Sequence, residues 1–136
     1  MATAEAGSPR VGVEGLRRPL RAVITAQAVA AFMQSVLAGA FLDGHFGFLH
    51  LHRLNAYYGV VGVSYVQVLL ALVYWRRSGL PRWVVTVSVG LAVANSVEVM
   101  LGLGRVIGLH IPLGVSIITG NLLLALWAWR DRLGLR

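Results

Sequence analysis

The chain contains no cysteine, no lysine and few charged residues of either sign. Without cysteine there are no disulfides, no thiol catalysis and no cysteine-ligated zinc. Only 12% of the 136 residues are charged, which is about half the share of a soluble domain. This deficit argues against a solvated globule and excludes intrinsic disorder more firmly. The arrangement of the 57% of residues that are hydrophobic therefore decides the class of protein.

The apolar residues are gathered into four runs, at residues 22–42, 51–75, 83–103 and 109–129. Each run provides the roughly 20 apolar residues that a helix needs to cross hydrocarbon about 30 Å thick. The alternating pattern of a membrane β-barrel strand is absent. Short connections between the runs favour antiparallel neighbours. The predicted fold is all-α, an integral membrane four-helix up-down bundle over residues 17–136, preceded by a flexible tail at residues 1–16.

The twelve basic residues are all arginine and are distributed unevenly between the two ends of such a bundle. Ten lie before the first run, between the second and third runs, or after the fourth, and only Arg53 and Arg105 lie at the other end. The positive-inside rule then places both termini in the cytoplasm, in a multi-pass protein of the cell membrane. Because the arginines form short clusters rather than one basic surface, we expect a lipid bilayer partner and no nucleic acid.

The four histidines all lie at the predicted outer end: His45, His50, His52 and His110. His52 opens the second run, and Asn55 and Gly59 follow it close to one helix face. His110 opens the fourth run, with Gly114 one turn below. Because both runs lead inward from the outer side, His52 and His110 can face one another across the core, with space for a flat ligand below them. This arrangement suits one b-type haem whose iron is ligated by two histidines.

Glu98 is a carboxylate within the third run, about 8 Å below its outer end at 1.5 Å per residue. An isolated charge at this depth is costly, so Glu98 is expected to have a partner or to be protonated. It could hold the second ring nitrogen of a ligating histidine, or pass protons to the outer face. Gln34 in the first run and His45 in the first loop are the other candidates for these supporting roles. A buried hydrogen bond that fixes helix register would explain Glu98 equally well.

Other interpretations of the same residues stay open. Histidine at a membrane interface is often only a polar residue that faces lipid headgroups, and His50 lies about 200° around the helix from His52. Alternatively, His45, His50 and His52 could ligate copper or zinc. The chain could also be a non-catalytic membrane subunit or assembly factor that packs against partner helices or a second copy without a cofactor. Enzymatic activity stays open, although no nucleophile–base pair has a recognisable spacing.

The segments His52-Arg53-Leu54 and Leu109-His110 resemble the second and fourth helices of one four-helix half of haem A synthase. In that family each half carries a histidine near the outer end of these two helices. The resemblance implies a b-type haem between the helices, with His52 and His110 as its ligands. Haem A synthase has two such halves and an outer-loop glutamate, whereas the first loop here offers only Asp43. The resemblance therefore implies a haem-carrying relative, suited to electron transfer, haem handling or sensing.

A second resemblance covers nearly the whole chain. The segment 34–39, the run Asp43-Gly44-His45, and His52 and His110 resemble a family of small four-span actinobacterial membrane proteins of unknown function. This resemblance implies the same topology and the same outer histidines, and it implies no activity.

Overall fold

The computed structural model of the chain describes residues 11–130, and this part is all-helical without a strand. The helices are α1 (Val11–Leu42), α2 (Gly47–Leu54), a π-helical segment (Asn55–Gly62), α3 (Val63–Ser78), α4 (Arg82–Leu103) and α5 (Ile107–Trp129). Helix α1 begins inside the predicted tail, and residues 1–10 of that tail lie outside the described residues.

Four of these helical stretches are long and apolar enough to cross a membrane: Arg18–Leu42, Gly47–Ser78, Arg82–Leu103 and Ile107–Trp129. They are called the first to fourth spans below, and they confirm the number of spans predicted from the sequence. The second span combines α2, the π segment and α3, and it begins four residues before the predicted start at residue 51. It can begin early because Gly44, with a φ of 96°, lets the chain turn within Asp43–Phe46.

The four spans form a closed ring of neighbours around one core. The first and third spans each pack against the second and the fourth. Within residues 11–130 the first span makes no close backbone contact with the third, nor the second with the fourth. The second and fourth spans are therefore diagonal partners, and side chains from these two spans can meet only across the core.

One end of the core is apolar. Its buried side chains form a single cluster, called the apolar cluster: Leu20, Ile24, Ala71, Tyr74, Leu80, Val84, Leu124 and Ala128. This end carries the connection after Gly79, whose φ of 70° closes α3 with a left-handed residue. It is called the arginine end because Arg76, Arg77 and Arg82 lie there.

The rest of the core is unusually polar. Six polar side chains are at most 1% exposed and are called the polar file: Gln27, Ser64, Gln67, Ser88, Asn95 and Asn121. The opposite end of the bundle, called the histidine end, carries the turns at Asp43–Phe46 and Gly104–Val106. Buried polar groups of this kind mark function or interhelical hydrogen bonding in membrane proteins.

The outer surface of the bundle is apolar along every span. Large hydrophobic side chains are exposed on all four, for example Phe32, Leu69, Val93 and Leu123. A water-soluble monomer rarely exposes contiguous apolar surface on this scale. The surface is consistent with contact to a lipid bilayer and indicates a multi-pass membrane protein.

Candidate functional site

A cavity lies in the core at the histidine end, and its volume is about 60 Å³. All four spans contribute to its wall, which is formed by Ala31, Gln34, His52, Ala56, Val60, Asn95, Glu98, Val99, His110, Gly114, Ile117 and Ile118. The cavity therefore brings together His52, His110, Glu98, Gln34 and Gly114, five of the residues singled out from the sequence.

His52 is held in place by the first span. Its Nδ1 lies 3.2 Å from the main-chain oxygen of Gln34, which can only accept a hydrogen bond. The proton of the neutral ring is therefore on Nδ1, and the lone pair is on Nε2. His50, two residues earlier, is exposed, as expected for residues on opposite sides of a helix.

His110 is held in place by Glu98. Its Nδ1 lies 3.1 Å from the main-chain oxygen of Glu98 and 2.9 Å from the carboxylate Oε1 of the same residue. Both oxygens accept, so Nδ1–H is the donor, and Nε2 again carries the lone pair in the neutral ring. The face of the ring rests on Gly102, where a Cβ atom would be only 3.0 Å from His110 Cε1. Glu98 thus contacts a histidine, as the sequence suggested, and its role as support for an iron ligand stays a prediction.

Gly114 provides the space in which the Glu98 carboxylate reaches His110. A Cβ atom at Gly114 would lie 2.8 Å from Glu98 Oε1, closer than real Cβ atoms approach. The space that the sequence analysis reserved for a ligand is thus used by the Glu98 side chain.

Asn55 and Gly59 are not part of the cavity wall. The Asn55 amide donates to the main-chain oxygen of Ala30 and to Gln34 Oε1, both at 2.8 Å. A Cβ atom at Gly59 would collide with the Asn55 side chain. These two residues instead join the π segment to the first span. π-helical turns are rare overall but are frequently found at functional sites, and this one begins at Asn55, directly after the helix α2 that carries His52.

The remaining histidines lie away from the cavity. The His45 side chain is 67% exposed, and its Nε2 is 3.9 Å from Asp43 Oδ2. In the part of the chain that the structure describes, no three histidine, aspartate or glutamate side chains are grouped to hold a metal ion. The structure therefore does not assemble His45, His50 and His52 as ligands of copper or zinc.

Asn95 is a cavity residue that the sequence analysis did not select. It is 1% exposed, and neither polar atom of its amide has a hydrogen-bond partner among residues 11–130. Its position three residues before Glu98 places both side chains on one face of α4, and this spacing was the signal available in the sequence.

The donor set fits a haem iron ligated by two histidines. Two imidazoles from diagonal spans line one cavity, and each ring is fixed through Nδ1 while Nε2 stays available. The cavity volume is smaller than the roughly 300–1,000 Å³ of typical cofactor and ligand pockets. A porphyrin therefore requires the cavity to widen.

Fold and site together define a helical protein with four membrane-length spans and a histidine-lined cavity in its core. Comparisons of the chain with protein-family models, with curated proteins and with solved structures found no match. The function is therefore inferred from the site.

Proposed function

We propose that the chain crosses the membrane as an up-down bundle with both termini in the cytoplasm. The apolar cluster supports this topology because it combines the beginnings of the first and third spans with the ends of the second and fourth. Ten of the twelve arginines belong to this end in the sequence, as expected for the cytoplasmic side. The tryptophans of this end, Trp75, Trp83, Trp127 and Trp129, fit interfacial anchors.

Reporter fusions test this topology. We expect green fluorescent protein fused after Arg136 to fluoresce in a bacterial host, and alkaline phosphatase fused there to stay inactive. Alkaline phosphatase inserted after Gly44 is expected to be active, because that turn lies on the other side. An active alkaline phosphatase after Arg136, together with an inactive one after Gly44, would show that the bundle is inverted.

We propose that the cavity at the histidine end binds one b-type haem, with His52 and His110 as the iron ligands. The observation that carries this proposal is the pair of imidazoles on diagonal spans, both anchored through Nδ1 and both bordering the same cavity. When bound, the haem would supply one-electron redox chemistry, suited to electron transfer, haem handling or sensing near the outer face.

The supporting residues differ between the two histidines. The Gln34 carbonyl orients the His52 ring, whereas His110 donates to both a carbonyl and the Glu98 carboxylate. A carboxylate partner makes an imidazole a stronger electron donor than a carbonyl does. His110 is thus the more tightly oriented of the two histidines.

Absorption spectra test haem binding. We expect the protein, expressed with an adequate haem supply, to show a Soret band and the sharp reduced bands of a six-coordinate iron. His52→Ala and His110→Ala are each expected to lower haem affinity by at least about tenfold, because each removes an iron ligand. His50→Ala, at an exposed position two residues away, is the matched control and should retain the spectrum. A colourless wild-type protein, or unchanged spectra in both ligand variants, would contradict the proposal.

A second candidate function is a cofactor-free membrane subunit or assembly factor. It is favoured by the small cavity and by the Asn55 and Glu98 side chains that fill the space beside Gly59 and Gly114. In this case the protein should purify colourless together with a stoichiometric membrane partner. The same purification therefore distinguishes the two candidates.

A further inference from the structure

The polar file continues from the cavity toward the middle of the bundle. On the third span, Glu98 and Asn95 border the cavity, and Ser88 lies two turns further from the histidine end on the same face. On the second span, Gln67 reaches the same level, because its Nε2 donates to Ser88 Oγ at 3.1 Å. Polar groups therefore extend over several helical turns of a core that is otherwise shielded from solvent.

Most members of this file have an unsatisfied side-chain atom. Besides the Tyr74 hydroxyl in the apolar cluster, five buried side-chain oxygens have no hydrogen-bond partner among residues 11–130. Four belong to the file, namely those of Gln27 (Oε1), Gln67 (Oε1), Asn95 (Oδ1) and Asn121 (Oδ1), and the fifth is Oε2 of Glu98 beside the cavity. The amide groups of Gln27 and Gln67 are engaged through nitrogen only, with Val60 and Ser88. Leaving a buried polar group unpaired costs about 1–3 kcal/mol, so a set of five demands partners.

Water is the partner that fits these atoms. The cavity of about 60 Å³ has room for a few water molecules, since one needs roughly 10–15 Å³. Asn95 borders the cavity and is only 1% exposed. Its amide nitrogen is an unpaired donor and its amide oxygen is an unpaired acceptor. Buried waters typically make about three hydrogen bonds to such groups.

The file ends where the apolar cluster begins. One helical turn closer to the arginine end, Ala71 lies next to Gln67 on the second span and Val84 lies next to Ser88 on the third span. Both Ala71 and Val84 belong to the cluster. Every member of the cluster is at most 3% exposed, and the aromatic ring of Tyr74 is completely buried. Apart from the Tyr74 hydroxyl, the side chains of the cluster are apolar, so this end of the core offers no continuous polar route to the solvent.

We propose that the core contains a file of buried water that runs from the cavity at the histidine end to Gln67 and Ser88, and that the apolar cluster closes it there. The bundle is thus a half-channel, hydrated from one face only. Water and protons reach Glu98 and His110 from the histidine end but do not cross to the arginine end. The proposal does not depend on whether a haem is bound.

Single cysteines test the half-channel, since the chain has none of its own. Four positions on the third span serve as probes: Asn95→Cys and Ser88→Cys in the file, Val84→Cys in the apolar cluster, and Val93→Cys on the lipid-facing surface. Each variant is placed in lipid nanodiscs, which expose both faces, and is treated with silver ion as a small water-borne thiol reagent. Thiols left unmodified are then counted by maleimide labelling after denaturation.

We expect Asn95→Cys and Ser88→Cys to react at least about tenfold faster than Val84→Cys and Val93→Cys, because a thiol in a dry apolar site stays protonated and inert. Circular dichroism of each variant verifies that the bundle is folded, and the cysteine-free parent gives the background. If Ser88→Cys reacts with silver ion as slowly as Val84→Cys, the proposal is overturned, because no water then reaches the buried amides at that level. Rapid reaction of Val84→Cys would also overturn it, because the core would then be open at both ends.

Discussion

Tyr74→Ala is expected to lower the free energy of unfolding by about 3 kcal/mol, within the range for removing a large buried side chain. Tyr74 is completely buried in the apolar cluster, to which all four spans contribute. Helices that separate within a bilayer stay in lipid, so the cost comes from lost packing contacts and the resulting cavity rather than from exposure to water. The measurement is unfolding in mixed micelles by titration with a denaturing detergent, followed by circular dichroism.

Tyr74→Phe is the matched control for this substitution. The Tyr74 hydroxyl is buried and has no hydrogen-bond partner among the described residues, so its removal leaves no group unpaired. We expect the stability of Tyr74→Phe to stay within about 1 kcal/mol of the wild type. A loss as large as that of Tyr74→Ala would show that the hydroxyl, rather than ring packing, stabilises this end of the bundle.

Gly102→Val is expected to displace the His110 ring and to lower haem affinity by at least about tenfold, as loss of a correctly oriented ligand does. A Cβ atom at Gly102 would lie 3.0 Å from Cε1 and 3.4 Å from Nδ1 of His110. Because Nδ1 is bound to two oxygens of Glu98, a ring that moves aside loses these bonds and its orientation. The Soret absorbance during haem titration of the purified protein measures the loss.

Gly90→Val on the same helix controls for the effect of a β-branched residue. A Cβ atom at Gly90 meets nothing within 4 Å, so this variant should bind haem as the wild type does. Nitrogen-15 NMR of labelled histidine gives a second readout that needs no haem, because the Nδ1 signal of His110 reports its bonds to Glu98. An unshifted His110 signal in Gly102→Val would contradict the packing, whereas a shifted signal with full haem binding would contradict the assignment of His110 as a ligand.

Much of the site follows from position along the chain. His52 and His110 open alternate spans at the same end, and they border one cavity because the second and fourth spans are diagonal. The exposure of His50 follows from the helical repeat. The same reasoning could have predicted Asn95 as a site residue, since it shares a helix face with Glu98. These relations follow from the length and the regular repeat of the helices and do not depend on side-chain conformations.

The use of space around the histidines was not predictable in this way. Helical spacing predicts Asn55, Gly59 and Gly114 around a ligand, but the Asn55 amide bonds to the first span, and Gly114 makes room for the Glu98 carboxylate. The π segment at Asn55–Gly62 also has no signature in the periodicity of apolar residues. Rotamers and helix distortions depend on partners that are distant in the chain, and a single sequence does not identify those partners.

The sequence by itself determined the all-helical class, the four membrane-length spans and the end of the bundle to which each histidine belongs. Hydrophobic run length and helical repeat are sufficient for these features, because lipid leaves the backbone no alternative to internal hydrogen bonds. Only the tertiary structure decided that Glu98 bonds to His110, that the cavity measures about 60 Å³, and that the polar file stops at an apolar cluster. These features depend on how side chains from four separate spans share one core, where packing distances rather than residue types decide which groups meet.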